Sequence, residues 1–258
     1  MTYQVKAKKH LGQHFLKHDS IAARIAATVE RTPCQLVLEI GPGMGVLTKQ
    51  LLSYQEKEIW VNEIDSESIE YLKAHFLELS ARIIEGDFLK LDLKRIFEGQ
   101  SFAVIGNFPY NISSQILFRV WEHVDLIPFF SGMFQKEVAE RVAAPPGSKT
   151  YGILSVLLQQ RYDIQYEFTV PPEAFNPSPK VQSGVLTMTR KSIWDTSVDS
   201  KQFKQIIKAA FNQRRKTLRN ALKGFTFDPE LISETLLNQR AEQLHYSEFE
   251  QLTKALKA

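Results

Sequence analysis

The stretch Leu38–Leu47, LEIGPGMGVL, decides how this chain folds. The apolar run QLVLEI (35–40) stops at alternate glycines, Gly41, Gly43 and Gly45, and the helical pattern VLTKQLL (46–52) follows at once. Glycine reaches backbone angles closed to other residues and lets a ligand approach the main chain, so this strand, turn and helix form a ligand-binding unit. The next apolar run, EIWVNEI (58–64), contains Glu63, with Asp65 just beyond it. A carboxylate about 20 residues past such a turn is placed to bind ribose hydroxyls.

Outward from this unit the same alternation continues. SESIEYLKAHF (66–76) has helical spacing, ARIIEG (81–86) and SFAVIGN (101–107) read as strands, and SSQILFRVWEHV (113–124) as a helix. FFSGMFQ (129–135) and QSGVLTMTR (182–190) extend the sheet, and Asp19–Glu30 precedes it as a helix with Ile21, Ile25 and Val29 on one face. Short apolar runs alternating with helices predict an α/β fold with a doubly wound, largely parallel sheet. After about residue 192 the pattern turns polar and then helical, with Phe203, Ile206, Ile207, Ala210 and Phe211 on one stripe. This predicts a first domain of residues 1–192, opening with a basic segment 1–18, and a small helical domain of 193–258.

At 258 residues, 43% hydrophobic and 24% charged, the composition is that of a soluble globular protein with a sizeable core. No apolar run is long enough to span a membrane, the N-terminal residues hold no signal-peptide core, and the single Cys34 excludes an internal disulfide. A cytoplasmic protein is expected. The net charge of +3 hides an asymmetry. Residues 1–18 and 201–223 together hold twelve of the 32 basic residues and no acid, leaving 20 basic residues against all 29 acids in the remainder. An acidic body with two basic segments is the footprint of a nucleic-acid binder.

Two details choose the cofactor. A dinucleotide fingerprint needs glycine where Val46 stands, and Glu39 sets a carboxylate two residues before the turn. A negative charge there repels a pyrophosphate but can hold an ammonium group, directly or through water, which favours S-adenosylmethionine over NAD. Asp87, in GDF (86–88) after the third strand, can accept a hydrogen bond from an adenine amino group. A second polar turn follows the strand ending at Asn107: VIGNFPYNISSQ (104–115) sets Phe108 and Tyr110 around Pro109. Alone it reads equally as a strand-to-helix turn or as a grip for a flat, nitrogen-bearing substrate.

Taken together, KKHLGQHFL (8–16), EIGPGMG (39–45), NEID (62–65), EGDFLK (85–90), IGNFPYNIS (105–113), QKEVAERV (135–142), FNPSPKVQS (175–183) and FNQRRKTLRNAL (211–222) resemble the small-subunit ribosomal RNA adenine N6,N6-dimethyltransferases of the KsgA type. The resemblance spans nearly the whole chain. It implies a Rossmann-like S-adenosylmethionine-dependent methyltransferase domain followed by a small all-helical, rRNA-binding domain. It also implies dimethylation of two adjacent adenines in the 3′-terminal hairpin loop of small-subunit rRNA, in an immature small subunit, by a monomer with a role in ribosome biogenesis. The family's grip falls on Asn107, Phe108, Pro109 and Tyr110, with Phe175 as the second aromatic closing on the base. In this reading the Asn107 oxygen and the Phe108 carbonyl receive the amino group, and Pro109 keeps them aimed. Tyr110 stacks on the extruded base.

Cofactor contacts carry over to His14, Leu16, Gly41, Glu63, Asp87 and Asn107, beside Glu39, Gly43 and Gly45 of the turn. Many relatives have Asn where this chain has His14, so that contact passes to the imidazole or to the backbone; Phe108 replaces the commoner Leu or Pro. Phosphate contacts are expected from Lys180, Lys208, Arg214, Arg215, Lys216 and Arg219. His10, His14 and His18 lack a carboxylate or thiolate partner nearby, so no metal is expected. Three alternatives stay open on the residues: a large-subunit rRNA dimethyltransferase of the antibiotic-resistance class, a DNA adenine methyltransferase, and an RNA-binding assembly factor without chemistry.

Overall fold

The computed structural model describes residues 5–79 and 81–257. Seven strands form the central sheet: β1 (Leu36–Ile40), β2 (Glu58–Glu63), β3 (Ile83–Glu85), β4 (Ala103–Asn107), β5 (Phe129–Gln135), β6 (Tyr162–Val170) and β7 (Ser183–Arg190). Their order is β3-β2-β1-β4-β5-β7-β6, with β1 to β5 parallel and β7 antiparallel to β5. The inner strands read as continuous apolar runs because helices cover both sheet faces. Accordingly Val37, Leu38, Val61, Val104 and Ile105 are fully buried.

Chain order reverses between β1 and β4, which opens a crevice at the C-terminal strand ends. Gly41, Glu63 and Asn107 all stand at that edge: Ile40 pairs with Asn62, Glu63 with Glu85, and Asn107 with Met133. Helices return the chain beneath it. Ser66–His75 is capped by Asp65, whose carboxylate accepts from Glu67 N, and Ser113–Glu122 buries Ile116, Leu117, Val120 and Trp121. A two-residue antiparallel pair joins Phe15–Leu16 to Phe175–Asn176, more than 150 residues apart in sequence.

The chain divides into two compact units, one running to Ala139 and including Ile164–Arg190, the other comprising Glu140–Asp163 and the chain from Lys191 onward. A boundary close to Ile193 is therefore present, but the expected first domain of 1–192 loses the internal segment 140–163. The reason lies in helix Ile153–Arg161, which is apolar on most sides and buries Leu154, Val156, Leu157 and Leu158. It packs with helices Ser200–Asn212 and Tyr246–Lys254 of the second unit. The basic stretch 201–223 also differs from one continuous helix. Asp199 caps its first helix at Gln202 N (2.7 Å), that helix ends at Asn212, and a turn through Arg214–Lys216 leads to the short helix Leu218–Ala221.

Candidate active site

The glycine turn forms because all three glycines adopt left-handed backbone angles, φ of 68°, 56° and 78° at Gly41, Gly43 and Gly45. A Cβ at Gly43 would lie 2.7 Å from the Phe15 ring and one at Gly45 2.4 Å from Phe76, whereas one at Gly41 would meet nothing within 4 Å. Gly43 and Gly45 thus let side chains pack against the turn, and Gly41 leaves open space for a ligand. The space belongs to a cavity of about 300 Å³, lined by Gly41, Gly43, Glu63, Asp87 and Asn107 among others. Its lining includes two carboxylates and no Lys or Arg, so it suits a ligand carrying positive charge.

Glu63 is 4% exposed and held from three sides. Its Oε2 accepts from Gly43 N at 3.1 Å, and its Oε1 from Ile64 N (2.8 Å) and Asp65 N (2.9 Å). Burial pushes its pKa up and these backbone bonds oppose the rise. A carboxylate offers about four lone-pair sites, so Oε2 keeps one for a ligand hydroxyl. Asp87 accepts from Leu89 N with Oδ1 (3.0 Å), and its Oδ2 lies 3.7 Å from the exposed Lys90 Nζ. Glu39 takes a different place. It is 1% exposed, accepts the Thr48 hydroxyl at 2.6 Å and does not line the cavity. The carboxyl lies beneath the turn, bonded to the following helix, so of the two expected ammonium contacts, direct or through water, this placement suits the one through water.

The second turn supplies the other wall. Asn107, Phe108, Pro109 and Tyr110 all line the cavity. Asn107 Nδ2 donates to the His14 carbonyl at 2.9 Å, which leaves Oδ1 as the free acceptor among the described residues. Phe108 N donates to Met133 O at 3.1 Å, while the Phe108 ring is 1% exposed and stacks on Phe130 and Phe134 at 5.0 and 4.9 Å. Gly132 makes room for that ring, since a Cβ there would stand 2.0 Å from it. Of the two aromatics in this polar turn, one is therefore a core anchor and only Tyr110 is half-exposed. The Tyr110 hydroxyl bonds Ser183 Oγ at 2.6 Å; burial pushes its pKa up and the Ser183 bond opposes the shift.

His14 lines the cavity too, with its carbonyl held by Asn107 and its Nδ1 2.7 Å from Pro177 O. Leu16 and Gly45 do not line it, and neither does Phe175, which is 1% exposed, paired with Leu16 and packed in the apolar core. The expected second aromatic thus does not line the cavity, because its strand pairing turns it inward. Of the expected phosphate ligands, Lys180, Lys208, Arg215 and Lys216 are exposed. Arg214 donates to the Lys149 carbonyl at 2.8 Å, and Arg219 is paired with Glu234.

The ribosomal RNA adenine dimethylase family model matches residues 4–257. The chain belongs to that family. A Ribosomal RNA small subunit methyltransferase A from Flavobacterium johnsoniae is 54% identical over 255 residues, 99% of this chain and 97% of that protein. Its namesake from Parabacteroides distasonis is 55% identical over 250 residues, covering 96% and 93%. A dimethyladenosine transferase from Plasmodium falciparum shares the fold at a TM-score of 0.77 with 24% identity, covering 93% of this chain and 96% of that one. The 23S rRNA methyltransferase ErmE shares it at 0.67 with 23% identity, covering 92% and 99%.

As an rRNA adenine dimethylase the protein uses S-adenosylmethionine, and the cavity fits that group. Open space at Gly41, the free lone pair of Glu63 and the two lining carboxylates match a nucleoside carrying a cationic sulfur. Ile64 and Gln13 are among the lining residues that the sequence did not single out. Ile64, apolar yet 53% exposed, faces the cavity beside Glu63 and offers a surface for a flat ring. Gln13 lines the same wall, its Oε1 accepting from Lys8 N at 2.7 Å. An exposed isoleucine just after a strand-end acid was the available signal for the first; the second has none.

Proposed function

We propose that this chain dimethylates N6 of two adjacent adenines in the 3′-terminal hairpin loop of small-subunit rRNA, acting as a cytoplasmic monomer on an immature small subunit. The observation that carries this reading is that the acidic nucleoside wall and the Asn107–Tyr110 turn line one cavity. The choice of subunit rests on relatives above 50% identity named for the small subunit, whereas the likeness to ErmE is one of fold.

Bound in this cavity, S-adenosylmethionine supplies an electrophilic methyl group. The chain supplies position and hydrogen bonds. Asn107 Oδ1 and the Phe108 carbonyl accept the two N–H groups of the adenine, which turns the nitrogen lone pair out of ring conjugation and toward the methyl group. Pro109 restricts the turn so that both acceptors stay aimed, and Tyr110 stacks on the extruded ring. Glu63 and Asp87 orient the nucleoside through its hydroxyls and amino group. No strong base is required: after transfer the amino nitrogen carries positive charge and sheds its proton to water. Lys180, Lys208, Arg215 and Lys216 engage rRNA phosphates.

The test is methyl transfer from labelled S-adenosylmethionine to unmodified small subunits, modified small subunits and protein-free large-subunit rRNA. Label confined to the first, recovered as N6,N6-dimethyladenine, is the expected result. Label in large-subunit rRNA places the protein in the resistance class instead. Asn107→Ala is expected to fold and bind RNA with transfer reduced at least a hundredfold, about the loss seen on removing a preorganised electrostatic contact. Full activity in that variant would sink the mechanism.

A further inference from the structure

The polar tie of Tyr110 leads away from its own turn. Its hydroxyl bonds Ser183 Oγ at 2.6 Å, across 73 residues of sequence. Tyr110 opens the short turn Tyr110–Ile112 after Pro109 and stands half-exposed on the cavity wall. With the hydroxyl engaged, what this residue offers the cavity is its ring.

Ser183 cannot follow the tyrosine if the ring moves. It is fully buried and opens β7, where it pairs with Gln135 at the end of β5. On one side of it, Gln182 O accepts from Lys136 N at 2.9 Å. On the other, Gly184 is packed so closely that a Cβ there would lie 2.8 Å from the Tyr166 ring and 2.9 Å from Ala139 Cβ. The neighbouring β5 also holds the substrate turn, because Asn107 pairs with Met133 and Phe108 N donates to Met133 O at 3.1 Å. The strand order β4-β5-β7 therefore sets Asn107 and the Ser183 hydroxyl in one frame.

We propose that Ser183 is a positioning residue for the target base: its hydroxyl fixes the tilt of the Tyr110 ring relative to the Asn107 and Phe108 acceptors. The proposal rests on the reading that Tyr110 stacks on the adenine. Pro109 aims the acceptors from within the turn, and Ser183 aims the stacking face from another strand. A ring free to swing about its side-chain torsions still covers the base. It then presents the amino group to the acceptors over a spread of angles, and tight orientation is where such sites gain rate.

Ser183→Ala and Tyr110→Phe each remove this bond and keep the ring, and the double variant removes no further contact. The experiment measures, for wild type and these three variants, the S-adenosylmethionine dissociation constant by calorimetry and kcat on saturating unmodified small subunits. Tyr110→Ala is carried alongside to test the stack. Each single variant should bind the cofactor as wild type does and lose about tenfold in kcat. The double variant should lose no more than either single one, because both delete the same contact. An unchanged kcat in Ser183→Ala overturns the proposal. So do losses that multiply in the double variant, or a fall in cofactor affinity that accounts for the lost rate. Should Ser183→Ala not fold, Tyr110→Phe decides by the same criterion. Full activity in Tyr110→Ala overturns the stacking reading, and absence of transfer by the wild-type protein the functional one; the proposal goes with either.

Discussion

Glu39 couples the glycine turn to pH through a single carboxyl. Burial pushes its pKa up to about 8; the Thr48 hydroxyl opposes the shift and the charge of Glu63 adds to it. In the unfolded chain the same group ionises near the ordinary value of 4.5. Between those two values the folded protein binds more protons than the unfolded chain, so stability falls as pH rises. The contribution of the neutral carboxyl is complete below the unfolded pKa and is lost on passing up through the folded one. The slope is at most about 1.4 kcal/mol per pH unit. Glu39→Gln keeps an acceptor for Thr48 and removes the ionisation. Thermal melts of both proteins across this window should show wild type losing ground to the variant as pH rises, with the variant's own curve flatter. Parallel curves would mean that Glu39 is already ionised in the fold. The neighbouring Glu63 is also shifted up by burial, but its three backbone N–H donors hold it closer to the carboxylate form.

One element, helix Ser113–Glu122, serves both halves of the cavity. It begins just after the Asn107–Tyr110 turn, and its Arg119 reaches back to the segment that lines the cavity at Asp87–Leu89. Arg119 Nη1 donates to Leu89 O at 3.0 Å and Nη2 to Leu91 O, with the guanidinium 5.5 Å from the Phe88 ring centroid. These contacts pin the turn that presents Asp87. Arg119→Ala should cost about 1.5–3 kcal/mol, as expected for charge-assisted bonds to half-buried carbonyls, and should weaken cofactor binding. Denaturant titration and calorimetry check the two effects separately; unchanged cofactor affinity would show that Asp87 needs no such support. The sequence shows this helix and both turns because their signals are local: alternate glycines, a strand-end acid, a proline between polar residues. It does not show Arg119 holding Leu89, since nothing in either segment marks a contact 30 residues away. Phe175 fails for the same reason. An aromatic in a proline-rich loop reads as a surface grip until its pairing with Leu16 turns it into the core.

For the whole molecule the order of charges along the chain is as informative as the fold. A net charge of +3 predicts little, but an acidic remainder with a basic stretch 201–223 predicts a polyanion ligand. What the sequence cannot supply is which basic side chains remain available. Helical periodicity carried the pattern past Asn212, where the chain in fact turns, because Leu218 and Leu222 keep nearly the right spacing. The turn commits Arg214 to the carbonyls of Ser148 and Lys149, and Arg219 to Glu234. An exposed pair such as the second is worth little and can open to meet a phosphate, whereas Arg214 supports the local fold. Arg215 and Lys216 are exposed at the turn and form the sharper test. Each phosphate contact adds roughly 0.7–0.9 to the slope of log affinity against log salt. Replacing both residues with alanine should therefore lower the slope for small-subunit rRNA by roughly 1.4–1.8 and weaken binding most at low salt. The kcat on saturating substrate should stay near wild type, since neither residue lines the cavity. A filter-binding series across salt concentrations, read beside a kcat measurement, decides the matter. An unchanged slope would remove this turn from the RNA interface, and an equal fall in kcat would tie it to the chemical step instead.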